Sequence, residues 1–316
     1  MQKIITPSHF TQFQFHPPSE IANFLARVRS VLGFAPPDIV PGKPIRFATS
    51  DRRGDKSGWA IIFDDGKGGI FGCWRSGVTQ TWRARQLSTE MERRTFAEHI
   101  RKAQEEVGRF KVERSAECRR ESARLWGIGR DISRRHPYVV AKGIIPCGAR
   151  QLRDSLLIPV RGHDGTLRGL QFIGPDGRKK FKSGTEIAGG YCSIGTLNNK
   201  ILLVCEGWAT GCTLHEATGH AVAVSFSAGN LRPVCNALRD KYYDWTLIVC
   251  ADDDQLTSGN PGLTKATDAA RAVNGMLAIP DFSGIDRSES YTDFNDMAKS
   301  KGMAEIVRVV GKVSYV

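Results

Sequence analysis

The sequence predicts an α/β protein, with a parallel sheet flanked by helices, a mixed α+β lobe before it and a small α+β domain at the amino terminus. Two observations favour the parallel sheet. Near-continuous apolar runs, typical of strands buried on both faces, occur at 200–206, 221–227, 246–252 and 275–280. Helix-like stretches lie between them, at 207–218, 229–241 and 262–275. This alternation indicates strands joined by crossover helices.

The elements before the sheet follow from local patterns. The runs WAIIFDD (59–65) and GIFGCWR (69–75) flank a GKG turn and predict a hairpin. The charged, helix-favouring stretch 88–126 predicts a long helix. Turns containing Gly and Asp separate three short strands, at 155–162, 167–173 and 179–184. We therefore expect four regions: an amino-terminal domain over 1–87, a helical connector over 88–126, a lobe over 127–198 and the sheet domain over 199–316.

Composition limits the class of protein. The chain has 316 residues, of which 41% are hydrophobic and 25% charged, so it is too apolar to be disordered. It has no apolar run of about 18 residues, and we expect no membrane contact. Its first residues, MQKIITPSHFTQFQF, lack the apolar centre of a signal peptide, and we expect a cytoplasmic location. The net charge of +12 favours a polyanionic partner such as nucleic acid, and solubility alone is the alternative reason for it.

The cysteines do not form a recognisable metal or disulfide pattern. There are eight, and none belongs to a CxxC pair. Structural zinc ribbons need two such closely spaced pairs. We therefore expect neither a zinc site nor a disulfide framework.

Acidic residues follow two of the predicted strands. Glu206 ends the first strand, Asp252 ends the third, and Asp253 and Asp254 follow it. The carboxyl ends of parallel strands meet at one edge of the sheet, so we expect these carboxylates to lie together. They would repel one another unless a cation neutralised them, and oxygen ligands suit Mg²⁺ or Mn²⁺. If the chain stays extended, Asp252 and Asp254 share a face and Asp253 lies opposite. The alternative is an acidic loop or a helix N-cap.

The pairing of CEGWATG (205–211) with CADDD (250–254) resembles the Toprim domain, which carries a Glu after its first strand and a DxD after its third. The likeness covers about 200–300. EGWAT is also similar to the EGYAT of primases from satellite phages and conjugative plasmids. Further similar segments are GIFGCWRSGVTQTWR (69–83), NPGLTKATDAA (260–270) and TDFNDM (292–297). The resemblance implies a DNA primase that makes short RNA primers on single-stranded DNA from nucleoside triphosphates, for replication of a mobile element.

The resemblance also implies roles for individual residues. Glu206 would act at the catalytic centre, as a metal ligand or as an acid/base for the primer 3′-hydroxyl. Asp252 and Asp254 would be catalytic and hold the divalent metal, with Asp253 as a less certain ligand. Asp293 and Asp296 are weaker candidates for metal ligands, and the alternative is that they cap the final helix. Lys265 is a weaker candidate for a contact to a nucleotide phosphate, and the alternative is an ordinary surface lysine.

The segment LIPVRGHDGTLRGLQFIGPDGRKKFKSG (157–184) is similar to the template-holding lobe of bacterial replicative primases. Cations contact phosphates and an aromatic ring stacks on a base, so a basic-aromatic segment suits a single strand. A solvated basic hairpin is the alternative. The candidate nucleic-acid contacts here are Arg161, Arg178, Lys179, Lys180, Phe181 and Lys182. Trp74 and Arg75 are further candidates in the amino-terminal domain, where the tryptophans would otherwise form a core.

The chain departs from replicative primases in lacking their amino-terminal zinc ribbon, so template selection would use other groups. It also has no GxxxxGK[ST] phosphate-binding loop of a helicase. We therefore expect a replicative helicase on another chain or in a missing carboxyl-terminal part. Two rival functions stay open: a Toprim nuclease that uses the same metals, and a non-catalytic module that binds single-stranded DNA. A topoisomerase is less favoured, because it needs a nucleophilic tyrosine in a separate gate domain.

Overall fold

The computed structural model describes residues 19–51, 54–286 and 291–315. The chain divides into two compact units, residues 1–112 and 113–316. The amino-terminal stretch considered for a signal peptide lies outside the described residues. Within those residues, no helix combines the length and the apolar character needed to cross a membrane. The domain boundaries expected from the sequence stay predictions.

The first unit is an antiparallel sheet with helices. Its elements are α1 (Ser19–Leu32), β1 (Ile45–Phe47), β2 (Gly58–Ile62), β3 (Gly68–Cys73), β4 (Thr79–Arg83) and the first part of α2 (Glu90–Ile128). The strand order is β1-β2-β3-β4, and each neighbouring pair is antiparallel. The predicted hairpin is therefore confirmed as β2 and β3, and the predicted long helix is confirmed as α2.

Both faces of this sheet are buried, because successive residues of a strand point to opposite faces. Ala60 and Ile62 of β2 pack with Phe24 of α1, whereas Trp59 and Ile61 belong to a separate cluster that includes residues of α2. The sequence analysis did not identify α1. The apolar pattern that could have predicted α1 is short: Phe24 and Val28 are buried and are spaced as on one face of an amphipathic helix.

The second unit contains a small antiparallel sheet after α2. Its elements are α3 (Pro137–Lys142), β5 (Arg150–Leu152), β6 (Ser155–Arg161), β7 (Leu167–Ile173) and β8 (Lys179–Phe181). The order β5-β6-β7-β8 contains the three strands that the sequence predicts. Ion pairs join the carboxyl-terminal part of α2 to the segment that follows β8: Glu121 pairs with Lys182, and Arg119 lies 3.0 Å from Glu186. These contacts hold that segment against the helix.

The second unit also contains a six-stranded sheet. Its elements are β9 (Cys192–Ile194), β10 (Ile201–Cys205), α4 (Trp208–Thr218), β11 (Ala221–Val224), α5 (Ala228–Lys241), β12 (Thr246–Cys250), α6 (Pro261–Ala272), β13 (Met276–Ala278), α7 (Phe294–Lys301), α8 (Met303–Gly311) and β14 (Ser314–Tyr315). The order is β14-β13-β12-β10-β11-β9. The four middle strands are parallel, which confirms the prediction, and the two outer strands are antiparallel to them.

Helices cover both faces of the six-stranded sheet. On one face Leu203 packs in a cluster with Phe294 and other residues of α4, α7 and α8. On the other face Leu202 and Val204 pack with Val234 and other residues of α5 and α6. Burying a large apolar side chain contributes about 1.5–3 kcal/mol, so a sheet covered in this way is a rigid support. It positions whatever follows the carboxyl ends of β10, β11 and β12.

Candidate active site

Carboxylates gather where β10 and β12 end. These two strands are adjacent and parallel, with Val204 beside Val249. Glu206 follows the end of β10, and Asp252 and Asp254 follow the end of β12. The three carboxylates lie close enough to repel one another electrostatically. The expectation that acidic residues from distant parts of the sequence meet at one sheet edge agrees with this arrangement.

Asp252 has the most perturbed carboxyl group of the cluster. Burial raises its pKa to about 8, with further contributions from the negative charges of Asp293, Glu206 and Asp254. Its Oδ1 atom is buried and has no hydrogen-bond partner among the described residues. A buried oxygen of this kind costs free energy unless a donor or a cation compensates it. Asp252 is therefore the carboxylate of the cluster with the greatest need for a compensating donor or cation.

Burial also raises the pKa of Glu206, and the charge of Asp254 adds to the effect. Two interactions stabilise the charged form of Glu206 and lower its pKa. The ammonium group of Lys179 lowers the pKa, and a backbone hydrogen bond from Ala228, in the first turn of α5, lowers it further. Lys179 also acts to lower the pKa of Asp252. A carboxyl group with a raised pKa beside a lysine is suited to accept and return a proton.

The middle and last aspartates of the triplet have different partners. Asp253 is only 5% exposed, and its Oδ1 accepts a hydrogen bond of 2.7 Å from the amide of Asn260. Its backbone N–H donates to the carbonyl of Thr292 at 2.8 Å. Asp254 accepts a 3.1 Å hydrogen bond from the backbone N–H of Gly262 in the first turn of α6. Asp253 therefore supports the loop, whereas the charge of Asp254 raises the pKa of both Glu206 and Asp252.

Gly262 allows the acidic loop to approach α6 closely. A Cβ atom at this position would lie 2.6 Å from the carbonyl oxygen of Asp252 and 2.7 Å from Oδ2 of Asp254. Neither distance is compatible with a real Cβ, so any other residue would displace the loop. The glycine thus helps to set the positions of both aspartates.

Asp293 and Asp296 form a helix cap, which is the alternative role that the sequence analysis gave them. Asp293 is the N-cap of α7 and accepts the N–H of Asp296 at 2.9 Å, while the side chain of Asp296 accepts the N–H of Asp293 in return. This reciprocal pair is a capping box. Asp293 also accepts a 3.0 Å hydrogen bond from Thr210 Oγ1, and its charge raises the pKa of Asp252. Asp293 therefore borders the carboxylate cluster, and Asp296 serves the cap.

The donor set fits a hard divalent cation. Its members are carboxylate oxygens, which Mg²⁺ and Mn²⁺ prefer, and one of these oxygens is buried without a partner. Within the described residues, no three His, Cys, Asp or Glu side chains already stand together as a complete ligand set. Mg²⁺ usually keeps several water ligands and needs few carboxylates, so the cluster does not require such a set.

The predicted basic segment lies on and around β8. Lys179 and Lys180 are exposed, and Lys179 is the member that reaches the carboxylates electrostatically. Phe181 is half-buried and packs edge-to-face against Phe226, with ring centroids 5.6 Å apart. Lys182 is paired with a glutamate of α2, so part of its charge is already used within the protein.

The other predicted contacts are more dispersed. Arg178 is exposed and lies 3.2 Å from Asp176. Arg161 donates a 3.0 Å hydrogen bond to the carbonyl of Gly165. Lys265 is exposed on α6. Their roles in binding stay predictions.

Trp74 and Arg75 belong to the first unit. Trp74 stacks on Trp59 with centroids 6.1 Å apart, and the guanidinium of Arg46 lies 4.5 Å from its ring centroid. Arg75 forms a 2.6 Å ion pair with Asp55. Trp74 is half-buried in this arrangement and Arg75 is exposed. Core packing and nucleic-acid contact are therefore compatible for Trp74.

Sequence analysis missed several residues that shape the site. Thr210, within the EGWAT motif, bonds to Asp293, and Asn260 holds Asp253. Asn260 was recognisable, because Asn before Pro is a frequent start of a helix, and here its side chain accepts the N–H of Leu263. The pairing of Thr210 with a residue far along the chain had no local signal.

Comparison with known proteins gives a domain match and likenesses over larger parts of the chain. Residues 201–304 match the family model of the Toprim domain. The chain is 32% identical to a DNA primase TraC of Escherichia coli over 264 residues, which cover 78% of this chain and 24% of that protein. A second DNA primase TraC from Escherichia coli is 32% identical over 66% of this chain and 15% of its own length. The chain thus spans about a quarter or less of these curated relatives.

Two solved structures are similar at low identity. One is the zinc-binding and RNA polymerase domains of the Aquifex aeolicus primase, at 13% identity and a TM-score of 0.43, covering 94% of this chain and 86% of that chain. The other is the primase fragment of the bacteriophage T7 primase-helicase protein, at 13% identity and a TM-score of 0.40, covering 83% and 97%.

Proposed function

Given that this chain carries a Toprim domain over residues 201–304, we propose that it is a DNA primase that joins ribonucleotides on single-stranded DNA. The observation that carries the proposal is the buried, unpartnered Oδ1 of Asp252 beside the carboxylates of Glu206 and Asp254. Such a cluster is stable with its charges intact when a divalent cation is bound. The 32% identity to the DNA primases TraC over most of this chain supports the choice of primase among Toprim functions.

Asp252 and Asp254 would hold Mg²⁺ or Mn²⁺, with Glu206 and Asp293 at the border of the site. When bound, the cation neutralises the negative charge that develops on the reacting phosphates and orients them. Asp253 and Asp296 support this site through the loop and the helix cap. This assignment narrows the six acidic candidates to those whose charges act on one another.

Glu206 is the residue that we assign to proton transfer. The reaction joins the 3′-hydroxyl oxygen of the growing primer to the α-phosphorus of a nucleoside triphosphate, and the bond to pyrophosphate breaks. The hydroxyl proton must leave as the new bond forms. A carboxylate whose pKa is raised by burial and by a neighbouring carboxylate is a better base than an exposed one. Glu206 would take this proton.

The positive charge of the lobe would hold the nucleic acid and the triphosphate. Lys179 lies where its charge reaches the carboxylates, so it would contact phosphates at the reacting end. Lys180 and Arg178 are exposed and would contact the template backbone. In the first unit, Trp74 and Arg75 would add contacts to a single strand. Unwinding of duplex DNA would fall to a helicase, and the resemblance to plasmid and satellite-phage primases points to replication of a mobile element.

The experiment is primer synthesis on circular single-stranded DNA with labelled nucleoside triphosphates and Mg²⁺ or Mn²⁺. The wild type is compared with Asp252→Asn and with Asp131→Asn, an exposed aspartate outside the site. We expect short labelled oligomers from the wild type and Asp131→Asn, and none from Asp252→Asn or without metal. Synthesis by Asp252→Asn at the wild-type rate would show that the ligand assignment is wrong.

The same reactions separate the rival functions. Metal-dependent loss of the template without labelled oligomers would identify a nuclease. Tight binding of the DNA without synthesis or cleavage would identify a binding module. Both results would contradict the proposal.

A further inference from the structure

Phe226 has an unusual backbone conformation beside the carboxylate cluster. It follows β11 and has a φ of +72°, in the left-handed region that bulky residues rarely adopt. Its N–H donates to the carbonyl of Glu206 at 2.9 Å, and the preceding Ser225 donates to Cys205 at 2.8 Å. The amide of Asn230 donates to the carbonyl of Ser225 at 2.8 Å. These bonds hold the strained residue directly beside the end of β10.

Strain of this kind costs free energy that a glycine would avoid, and residues held in it cluster at functional sites. A phenylalanine here therefore needs a reason that lies in its side chain. The ring is half-buried, and part of it packs on the core of the sheet domain. Core packing accounts for the buried part of the ring and leaves the accessible part without a role.

The ring of Phe226 also meets a second half-buried aromatic residue, Phe181. The rings of Phe226 and Phe181 meet at 78° with centroids 5.6 Å apart, so they form an aromatic corner, and both side chains are half-buried. Phe181 is two residues from Lys179, whose charge reaches Glu206 and Asp252. The aromatic corner therefore borders the place where phosphates would sit. A flat group attached to those phosphates would lie against it.

We propose that the aromatic corner stacks the base of the nucleotide whose phosphates occupy the carboxylate site, with Phe226 as the principal contact. This inference rests on the proposed function, because it takes the ligand to be a nucleoside triphosphate. Base–aromatic stacking tolerates every base, since each has a π-face. Phe226 thus adds affinity for the base without selecting its identity, as template-directed synthesis requires.

The test compares two ligands that differ in the presence of a nucleoside. Binding of ATP and of inorganic tripolyphosphate, each with Mg²⁺, is measured by calorimetry on the full chain. The variants are Phe226→Leu, which keeps an apolar side chain, and Phe226→Tyr, which keeps the ring. Phe226→Gly removes both the ring and the strain. Phe96→Leu is the matched control, because Phe96 is a half-buried aromatic of the first unit that packs on Phe63.

We expect Phe226→Leu and Phe226→Gly to bind ATP on the order of tenfold more weakly, as the loss of one base stack predicts. Their affinity for tripolyphosphate should equal that of the wild type, and Phe226→Tyr and Phe96→Leu should match the wild type for both ligands. An equal loss for both ligands, or no loss for either, would overturn the stacking role while the proposed function stands. A wild type that binds neither ligand would overturn the proposed function and the aromatic corner with it.

Discussion

Replacing Asp252 with asparagine should stabilise the metal-free protein and remove most of its pH dependence. Burial and three neighbouring carboxylates raise the pKa of Asp252 from 3.8 to about 8. Between these two values the folded protein holds the proton and the unfolded chain releases it, so the folded state becomes less stable as the pH rises. Each pH unit in this window costs about 1.4 kcal/mol. From pH 5 to pH 8 the loss is on the order of 4 kcal/mol.

Asparagine has nearly the same shape as aspartate and no charge, so Asp252→Asn should not lose this stability as the pH rises. The assay is urea unfolding, followed by circular dichroism, at several pH values between 5 and 9 in the presence of EDTA. The free energy of unfolding of the wild type should fall relative to that of Asp252→Asn as the pH rises. The exposed Asp131→Asn variant should follow the wild type.

Divalent cation supplies the second half of this prediction. A ligand that binds only the folded state stabilises it by mass action. Mg²⁺ or Mn²⁺ should therefore raise the stability of the wild type at pH 8 and leave that of Asp252→Asn unchanged. Parallel pH curves for the two proteins, or equal stabilisation of both by the cation, would refute the reasoning.

Three further predictions follow from individual contacts. Gly262→Ala should displace the acidic loop and weaken Mn²⁺ binding at least tenfold, whereas Gly108→Ala, with open space around its Cβ, should bind Mn²⁺ like the wild type; titration calorimetry measures both. Lys179→Ala should weaken binding of single-stranded DNA and lower the salt slope by about 0.7, and Lys182→Ala should have a smaller effect because an ion pair already engages that lysine; fluorescence anisotropy at several salt concentrations compares them. Asp55→Asn should lower the melting temperature of the first unit. Burial acts to raise the pKa of Asp55, but hydrogen bonds to the carboxylate outweigh burial and lower the pKa. The carboxylate's contribution to stability is therefore present above pH 4 and is lost as the pH falls, so the melting temperatures of the wild type and the variant should converge in acid.

Much of the sheet domain was predictable because its signals are local. A strand buried on both faces needs a continuous apolar run, and the runs that include Leu203 and Val249 became β10 and β12. Parallel strands joined by helices bring their carboxyl ends to one edge, so the sequence alone predicts that Glu206 and Asp252 meet. The hairpin of β2 and β3 and the long helix α2 likewise follow from turn residues and helix propensity.

Other features were decided by packing between segments that are distant in sequence. The charge of Lys179 reaches Glu206 because β8 lies beside the edge of the sheet domain, and no local pattern predicts this. The buried position of Asp253 depends on Asn260, and the left-handed conformation of Phe226 depends on hydrogen bonds to the end of another strand.

The sequence by itself determined the parallel strands of the sheet domain, the acidic residues that follow two of them and the basic character of the lobe, because these depend on neighbours a few residues away. Only the tertiary structure decided which aspartate is left with an unpartnered oxygen, which lysine faces the carboxylates and which aromatic ring stands beside them. The physical reason is that burial and electrostatic coupling arise from through-space contacts, whose partners are chosen when whole elements pack.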